Sequence, residues 1–288
     1  PSKGSGIRDM LGFGANVTAF QLVNYFSRTL DNILIGKFAG AIALGIYGRA
    51  YQLLLFPIVN LRAPIQSVAF PAMSQLDPKS AAFRSYYYEL VRVLAWLTMP
   101  LMVWMYIFSN EIIGYALGEK WGPVASIFSV LAIVGFIQPI ASLRGLLLIS
   151  SGQSRRNLYA GIIGSSVVSL GFIIGIQWGV SGIAWSYVIS VYLPLLPMQK
   201  YCSRGTSVEW YDMFVASRGP IILSVVLLLV GCWGRFMLVE REVSPIQTLL
   251  MVSIVFAIIA LVGAICSYRK ELLAVPFIFR IFQKNENT

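Results

Sequence analysis

The sequence predicts an all-α integral membrane protein with about eight transmembrane helices, and three observations support this fold class. Of the 288 residues, 57% are hydrophobic and 12% are charged, and the mean hydropathy is +0.74. A soluble domain usually has about a quarter of its residues charged. Several apolar runs reach the ~20 residues that a helix needs to cross a bilayer. These runs lack the period-two alternation of membrane-spanning strands, so the spans are helices.

Short linkers separate the apolar runs and define the individual spans. The two longest linkers, 71–90 and 200–218, are polar or amphipathic. The candidate spans lie at about 10–36, 42–70, 91–110, 123–149, 158–178, 181–199, 219–238 and 246–267.

Lysine and arginine placement predicts the orientation of these spans. The N-terminus, the C-terminal tail and the linkers 71–92, 150–157 and 200–218 hold fourteen such residues, whereas the opposite connections hold three. Cytoplasmic loops carry such an excess. Both termini are therefore predicted to be cytoplasmic, which agrees with an even number of spans. The net charge of +10 then reflects topology and attraction to anionic membrane lipids, and we expect no nucleic-acid binding.

Reactive and metal-binding groups are sparse. The chain has no His, and Cys202, Cys232 and Cys266 lack the spacing of a metal site, so we interpret them as small hydrophobic residues. The sequence shows no glycine-rich phosphate loop, nucleophile motif or zinc motif. It also lacks the paired acids at a soluble site that a membrane glycosyltransferase would use. We therefore expect no enzymatic activity, no metal site and no cofactor.

The first span carries a stripe of polar residues. Gln21, Asn24, Arg28 and Asp31 follow one another at spacings of 3, 4 and 3, which places them on one narrow helix face. Such a stripe must face protein or a water-filled cavity, because lipid cannot satisfy it. One interpretation is a structural ion pair between Arg28 and Asp31. The other is that the stripe lines a cavity.

The second span carries two arginines and no acidic residue. Arg62 shares a helix face with Gln66 and lies too deep for easy snorkelling, which favours a functional role. Arg49 lies near the outer end, where snorkelling and a functional role are both open. Pro57 stands between the two arginines and is expected to kink the helix, so their relative angle is not fixed by the sequence.

Two further arginines lie inside later spans. Arg144 is about one and a half turns from the cytoplasmic end of the fourth span, so snorkelling remains open beside a role in the membrane. Arg235 lies beside Trp233 near an outer end, which favours an interfacial anchor. In the fifth span, Gly171 and Gly175 form a GxxxG pair, which predicts close packing against another helix.

Buried arginines that have no acidic partner in the chain need a negatively charged group from another molecule. Arginine cannot be neutralised by deprotonation, and its planar fork suits phosphate or carboxylate. A cationic cavity inside a helical bundle therefore predicts an anionic cargo, such as a lipid-linked pyrophosphate or an acidic sugar. A cation-coupled drug exporter would instead need carboxylates at mid-membrane.

The segment ALGIYGRAYQLLLFPIVNLRAPIQSVAFPAMSQL at 43–76 closely resembles bacterial polysaccharide exporters of the O-antigen and colanic-acid flippase type. It has their LG-x-Y start, central proline and Phe-Pro-Ala-x-Ser end. The stretches NYFSRTLDNILIGKFAG, GEKWGPVASIF, LRGLLLISSGQSRRN and WGVSGIAWSYVIS are also similar to this family. The resemblance covers about residues 8–200.

The resemblance implies a fold. The family belongs to the superfamily of multidrug, oligosaccharidyl-lipid and polysaccharide exporters, whose members resemble two six-helix bundles around a central cavity, often with two extra C-terminal helices. The eight spans then correspond to the second bundle plus the extra pair, and the N-terminal bundle of the same chain would be missing. The implied division is 1–200 for the transporter bundle, 201–218 for a cytoplasmic linker, 219–267 for two additional helices and 268–288 for a cytoplasmic tail.

The resemblance also implies a function. A protein of this family would move polyprenyl-pyrophosphate-linked sugar repeat units across the bacterial inner membrane by alternating access. Its partners would be the lipid-linked oligosaccharide, membrane lipids, and a polysaccharide polymerase and glycosyltransferases. Asp31 is the candidate for coupling to an ion gradient. The candidate substrate-binding residues are Arg28, Arg62, Arg144, Arg49, Asn24, Gln21 and Gln66.

Other functions remain open from the sequence. A cation-coupled drug or metabolite antiporter of the same superfamily would need Asp31 and tolerate loss of the arginines. A flippase for peptidoglycan lipid precursors would also use arginines. A scaffold of a glycan-synthesis complex would not transport at all.

Overall fold

The structure is a computed structural model that describes residues 5–240 and 244–268. Within these ranges it does not describe every side chain, and those of Arg28 and Cys266 are among the exceptions. Residues 269–288 of the predicted tail also lie outside it. Every regular element in the described residues is helical. The α-helices are α1 (Ser5–Phe38), α2 (Gly40–Ser74), α3 (Ala81–Ile107), α4 (Ser109–Leu117), α5 (Gly122–Ala141), α6 (Leu143–Ser150), α7 (Ser154–Gly175), α8 (Gly179–Tyr192), α9 (Leu195–Ser203), α10 (Asp212–Glu240) and α11 (Pro245–Tyr268), with short 3-10 helices at Glu119–Trp121 and Ile176–Trp178.

Each predicted span coincides with one helix or with two consecutive helices. Within the described ranges, six segments are long and apolar enough to cross a membrane. One of them, Ser154–Ser203, contains two spans, α7 and α8–α9, and Gly179 separates them with a φ of 70° that glycine adopts readily. The remaining predicted span is α1, which has the length of a span but carries the polar stripe. The predicted fold class, an all-α membrane protein with about eight spans, is confirmed.

Helix α5 lies at the centre of the bundle, where it packs against α2, α3 and α8. Gly135 allows this close approach. A Cβ atom at Gly135 would lie 2.6 Å from Met102 Sδ and 3.0 Å from Leu54 Cδ1. The buried core around it includes Phe128 and Leu131 of the same helix.

Helix α7 packs between α1 and α8, and glycines set both contacts. A Cβ at Gly161 would lie 2.4 Å from the Phe20 ring of α1. A Cβ at Gly171 would lie 2.2 Å from Ser190 Oγ, and one at Gly175 would lie 2.6 Å from the Gly182 carbonyl oxygen, both on α8. The close packing predicted from the GxxxG pair is confirmed.

Helix α10 is attached to α3 near both of its ends. Near the start of both helices, Arg84 Nε and Nη2 each donate to the Asp212 carboxylate at 2.8 Å. Near the far end, Arg235 pairs with Glu111 at 2.8 Å and donates to the Ile107 carbonyl at 2.5 Å. Arg235 therefore joins α10 to α3 and α4, instead of only anchoring its own helix at the interface. Because both attachments link residues 128 positions apart, the two helices run parallel.

Three linkers meet at one end of the bundle. We call this side the basic end and define it by the linkers 75–80, 151–153 and 204–211. Ser207 N donates to the Pro78 carbonyl at 2.8 Å, and Arg156 Nη1 donates both to Gln153 Oε1 and to the Arg204 carbonyl. The contacts bring together the linker regions that the charge pattern assigned to one side of the membrane.

Candidate functional site

A cavity of about 860 Å³ opens among α1, α2, α5, α6, α7, α8 and α9. This volume lies in the range of sites that hold small molecules. Polar side chains from several of these helices line it. Polar groups inside a membrane bundle are costly and therefore mark functional sites by default.

Helix α1 contributes three residues of its polar stripe to the cavity: Gln21, Asn24 and Asp31. Asn24 Nδ2 donates to the Phe20 carbonyl at 2.9 Å, one turn earlier on the same helix. Asp31 is only 3% exposed, and its Oδ1 accepts a hydrogen bond from the backbone N–H of Asn32 at 2.7 Å. The predicted contact of Arg28 with this site concerns a side chain outside the described residues.

Helix α2 contributes Arg62 and Gln66, which share a helix face as the spacing predicted. Both side chains are half-buried. Gln66 Nε2 donates to Ser142 Oγ at 3.4 Å, a weak contact at the junction of α5 and α6. The contact connects the arginine-bearing face of α2 to the junction of α5 and α6, two residues before Arg144.

Arg144 enters the cavity from the start of α6. Its Nε donates to the Ala141 carbonyl at 2.8 Å, which holds the guanidinium against the junction of α5 and α6. Its Nη1 is buried and has no hydrogen-bond partner. No acidic side chain within the described residues pairs with it, so the positive charge stays uncompensated by the chain there.

Arg49 does not belong to this group. The structure leaves it exposed on α2, where its Nη1 donates to Gln52 Oε1 at 3.2 Å, and it is not part of the cavity wall. Arg49 and Arg62 are 13 residues apart on one continuous helix, so they point in different directions.

Other cavity residues were missed by the sequence reasoning. Gln138 Nε2 donates to the Tyr187 hydroxyl at 3.0 Å, and Asn157 of α7 is 1% exposed with its Nδ2 lacking a partner. Both are single polar residues without a stripe along their own helix, so only the tertiary fold brings them to the site. A search for isolated amides within apolar runs would have found Gln138, whereas Asn157 follows a polar linker and gives no such signal.

The described polar wall is donor-rich and carries both signs of charge. Arg62 and Arg144 supply positive charge, Asp31 supplies negative charge, and side-chain amides supply neutral donors and acceptors. Within residues 5–240 and 244–268, no group of three His, Cys, Asp or Glu side chains could hold a metal ion.

Comparison with known proteins gives a consistent assignment. Residues 2–126 match the model of a family described as polysaccharide biosynthesis protein. The teichuronic acid biosynthesis protein TuaB of Bacillus subtilis is 32% identical over 64% of this chain and 38% of its own length. The lipopolysaccharide biosynthesis protein WzxC of Escherichia coli is 27% identical over 50% of this chain and 29% of its own length. The chain thus spans well under half of these relatives.

Two solved structures share the fold. The lipid II flippase MurJ in an inward closed conformation superposes with a TM-score of 0.70 at 16% identity, over 88% of this chain and 53% of MurJ. An outward-facing multidrug resistance MATE transporter of the MOP superfamily gives a TM-score of 0.57 at 15% identity, over 93% and 66%. The sequence resemblance therefore has independent support: the chain is a multi-pass helical membrane protein that is similar over residues 2–126 to the polysaccharide biosynthesis family and shares the fold of these two transporters.

Proposed function

We propose that the protein moves an anionic, lipid-linked glycan across the bacterial inner membrane by alternating access. The cavity that contains Arg62, Arg144 and the amides of Gln21, Asn24 and Gln66 carries this proposal. The arginines suit phosphate or acidic-sugar oxygens, and the amides suit sugar hydroxyls. The lipid tail would stay in the bilayer. An apolar tail buried in the cavity would leave the polar donors of the wall without hydrogen-bond partners.

The similar proteins support two parts of this proposal, the glycan cargo and the alternating access. The names of TuaB and WzxC connect them to teichuronic acid and lipopolysaccharide, which are surface glycans. The two solved structures with this fold face opposite sides, inward for MurJ and outward for the MATE transporter. A cavity that alternates between such states moves its cargo without chemistry, so the protein needs no enzymatic activity.

A complete transport cycle needs a second bundle that closes the other side of the cavity. We propose that the same polypeptide supplies it, since the relatives are much longer than the aligned region. In this arrangement residues 1–200 form the transporter bundle, 201–218 a cytoplasmic linker and 219–267 the additional pair. The basic end would then face the cytoplasm, the side on which the charge pattern predicts both termini. Polymerase and glycosyltransferases would be the neighbouring enzymes.

The test replaces Arg62 by alanine and by lysine in the full-length protein, in its own host, at matched protein levels. The readouts are surface polysaccharide and lipid-linked repeat units in the inner membrane. We expect the alanine variant to lose surface glycan and accumulate lipid-linked units, and the lysine variant to keep part of the export. Arg155→Ala is the control, since Arg155 is exposed and lies against Tyr159 outside the cavity. Normal export by Arg62→Ala would refute the proposed role of the cavity arginine.

One observation favours a second candidate, a cation-coupled antiporter for a drug or metabolite. Asp31 is a deeply buried carboxylate on the cavity wall. A buried acid of this kind can bind a proton or sodium ion in exchange for cargo. This candidate predicts that Asp31→Asn abolishes transport while Arg62→Ala preserves it, the reverse order of importance from the glycan flippase. If both variants fail, Asp31 is the proposed coupling residue of the flippase itself.

A further inference from the structure

Two residues that line the cavity, Arg144 and Asn157, each carry a buried donor without a hydrogen-bond partner. Arg144 Nη1 and Asn157 Nδ2 are both buried, and neither has a partner. An unmade hydrogen bond at a buried donor costs about 1–3 kcal/mol, so folded proteins leave few of them. Two on the wall of one cavity therefore require an explanation.

The two side chains come from different helices that meet at Gly145. The Oδ1 atom of Asn157 lies 3.6 Å from the position that a Cβ at Gly145 would take. Asn157 on α7 therefore packs against the start of α6 at the residue that follows Arg144. All three residues line the same cavity.

One hydrogen bond fixes the orientation of the Arg144 side chain. Its Nε bond to the Ala141 carbonyl fixes one edge of the guanidinium, which leaves Nη1 available. The groups that act electrostatically on Arg144 are the Cys202 thiol and the Tyr87 hydroxyl, and neither is a carboxylate. The positive charge thus has no fixed counter-ion within the described residues.

Arg144 is the one charged residue that α6 and α7, both within the described range 5–240, contribute to the cavity wall. Apolar side chains such as Leu148 and Ile149 line the cavity from the same short helix, α6. A cation and an unpaired amide donor together match a ligand that accepts hydrogen bonds and carries negative charge. Phosphate and carboxylate oxygens meet both conditions, and the charge of Arg144 favours them over a neutral sugar hydroxyl.

We infer that Arg144 and Asn157 form an oxyanion subsite contributed by α6 and α7, whereas Arg62 and Gln66 belong to α2. The ligand is an anionic oxygen group, which a lipid-linked cargo can present either as its pyrophosphate or as the carboxylate of an acidic sugar. The inference rests on the proposed function for its transport consequence, while oxyanion binding itself is measurable without transport.

The experiment measures binding of three probes to the purified full-length protein: inorganic pyrophosphate, farnesyl diphosphate and glucuronate. The variant Asn157→Leu removes the amide at similar volume. We expect at least tenfold weaker binding of the diphosphates or of glucuronate, because a hydrogen bond to a charged group is lost. Loss confined to the diphosphates identifies the pyrophosphate as the source, and loss confined to glucuronate identifies the sugar carboxylate. Asn60→Leu is the matched control, since Asn60 is exposed and donates to the Phe56 carbonyl on its own helix.

Ligand-free stability separates this role from a structural one. Because the Asn157 Nδ2 makes no hydrogen bond, Asn157→Leu should not lower the melting temperature of the ligand-free protein. Arg144→Lys keeps the charge but loses the planar guanidinium with its several donors. We expect it to weaken probe binding as well. Wild-type affinity for all three probes in Asn157→Leu would overturn the subsite.

The outcome for the subsite is distinguishable from the outcome for the proposed function. If Arg62→Ala loses export while Asn157→Leu binds all probes and exports normally, the flippase stands and the subsite falls. If Asn157→Leu loses oxyanion binding while no lipid-linked glycan is moved by the wild-type protein, the subsite stands and the proposed cargo falls.

Discussion

The glycine contact between α7 and α8 gives a prediction of defined size. An alanine at Gly175 would place its Cβ 2.6 Å from the Gly182 carbonyl oxygen and 2.5 Å from Ser186 Oγ. The serine hydroxyl can rotate away, but the backbone oxygen cannot. To regain ordinary van der Waals contact at 3.4 Å, the helices must separate by about 0.8 Å at this point.

The free energy of that separation follows from two opposing effects. Overpacking a well-packed site costs about 1–3 kcal/mol. Replacing a helical glycine by alanine recovers about 0.5–1 kcal/mol of backbone entropy. We therefore expect Gly175→Ala to lower the free energy of unfolding by about 0.5–2 kcal/mol.

The assay is reversible unfolding of the full-length protein in mixed micelles of mild detergent and SDS, followed by circular dichroism. Gly164→Ala is the matched control on the same helix, since a Cβ at Gly164 meets nothing within 4 Å. We expect it to be neutral or stabilising by up to about 1 kcal/mol. Equal stability of Gly175→Ala and Gly164→Ala would refute the argument that backbone contact sets this helix pair.

The attachments of α10 give two further predictions, measured by the same unfolding assay. A double-mutant cycle on Arg84 and Asp212, with alanine at each position, should give a coupling energy of about 1 kcal/mol, because the pair is bidentate but Arg84 is partly exposed; a coupling near zero would show that the pair is only a surface contact. Arg235→Gln should cost about 1–3 kcal/mol, since it leaves the Glu111 carboxylate, 10% exposed, without a cation. Adding Glu111→Gln should restore part of that loss, and a further loss in the double variant would contradict this reasoning.

Local patterns in the sequence predicted the spans and much of the cavity wall. Polar residues at spacings of 3, 4 and 3 in an apolar helix can occupy only one face, so Gln21, Asn24 and Asp31 had to lie together. The same reasoning paired Arg62 with Gln66. These features follow from the geometry of a single helix and need no knowledge of its neighbours.

Features that depend on two distant helices could not be predicted. The sequence alone favoured an interfacial role for Arg235. Its partner Glu111 lies 124 positions earlier in the chain, and no periodicity connects the two residues. The position of Arg49 outside the cavity depends on the path of α2 through Pro57, which the sequence leaves open. Asn157 becomes notable only because its amide is buried against α6.

The parallel attachment of α10 to α3 also has a consequence for the time course of biosynthesis. Both contacts join residues 128 positions apart, and ribosomes add about 5–20 residues per second, so α10 is made roughly 6–25 s after α3. Until then Glu111 has no cation from α10, and the surface of α3 that α10 later covers faces other molecules. This part of the protein must therefore mature by lateral docking of an already synthesised helix. Pulse-labelled chains with a cysteine pair across α3 and α10 should become cross-linkable only after that delay, and cross-linking without a lag would contradict this order of assembly.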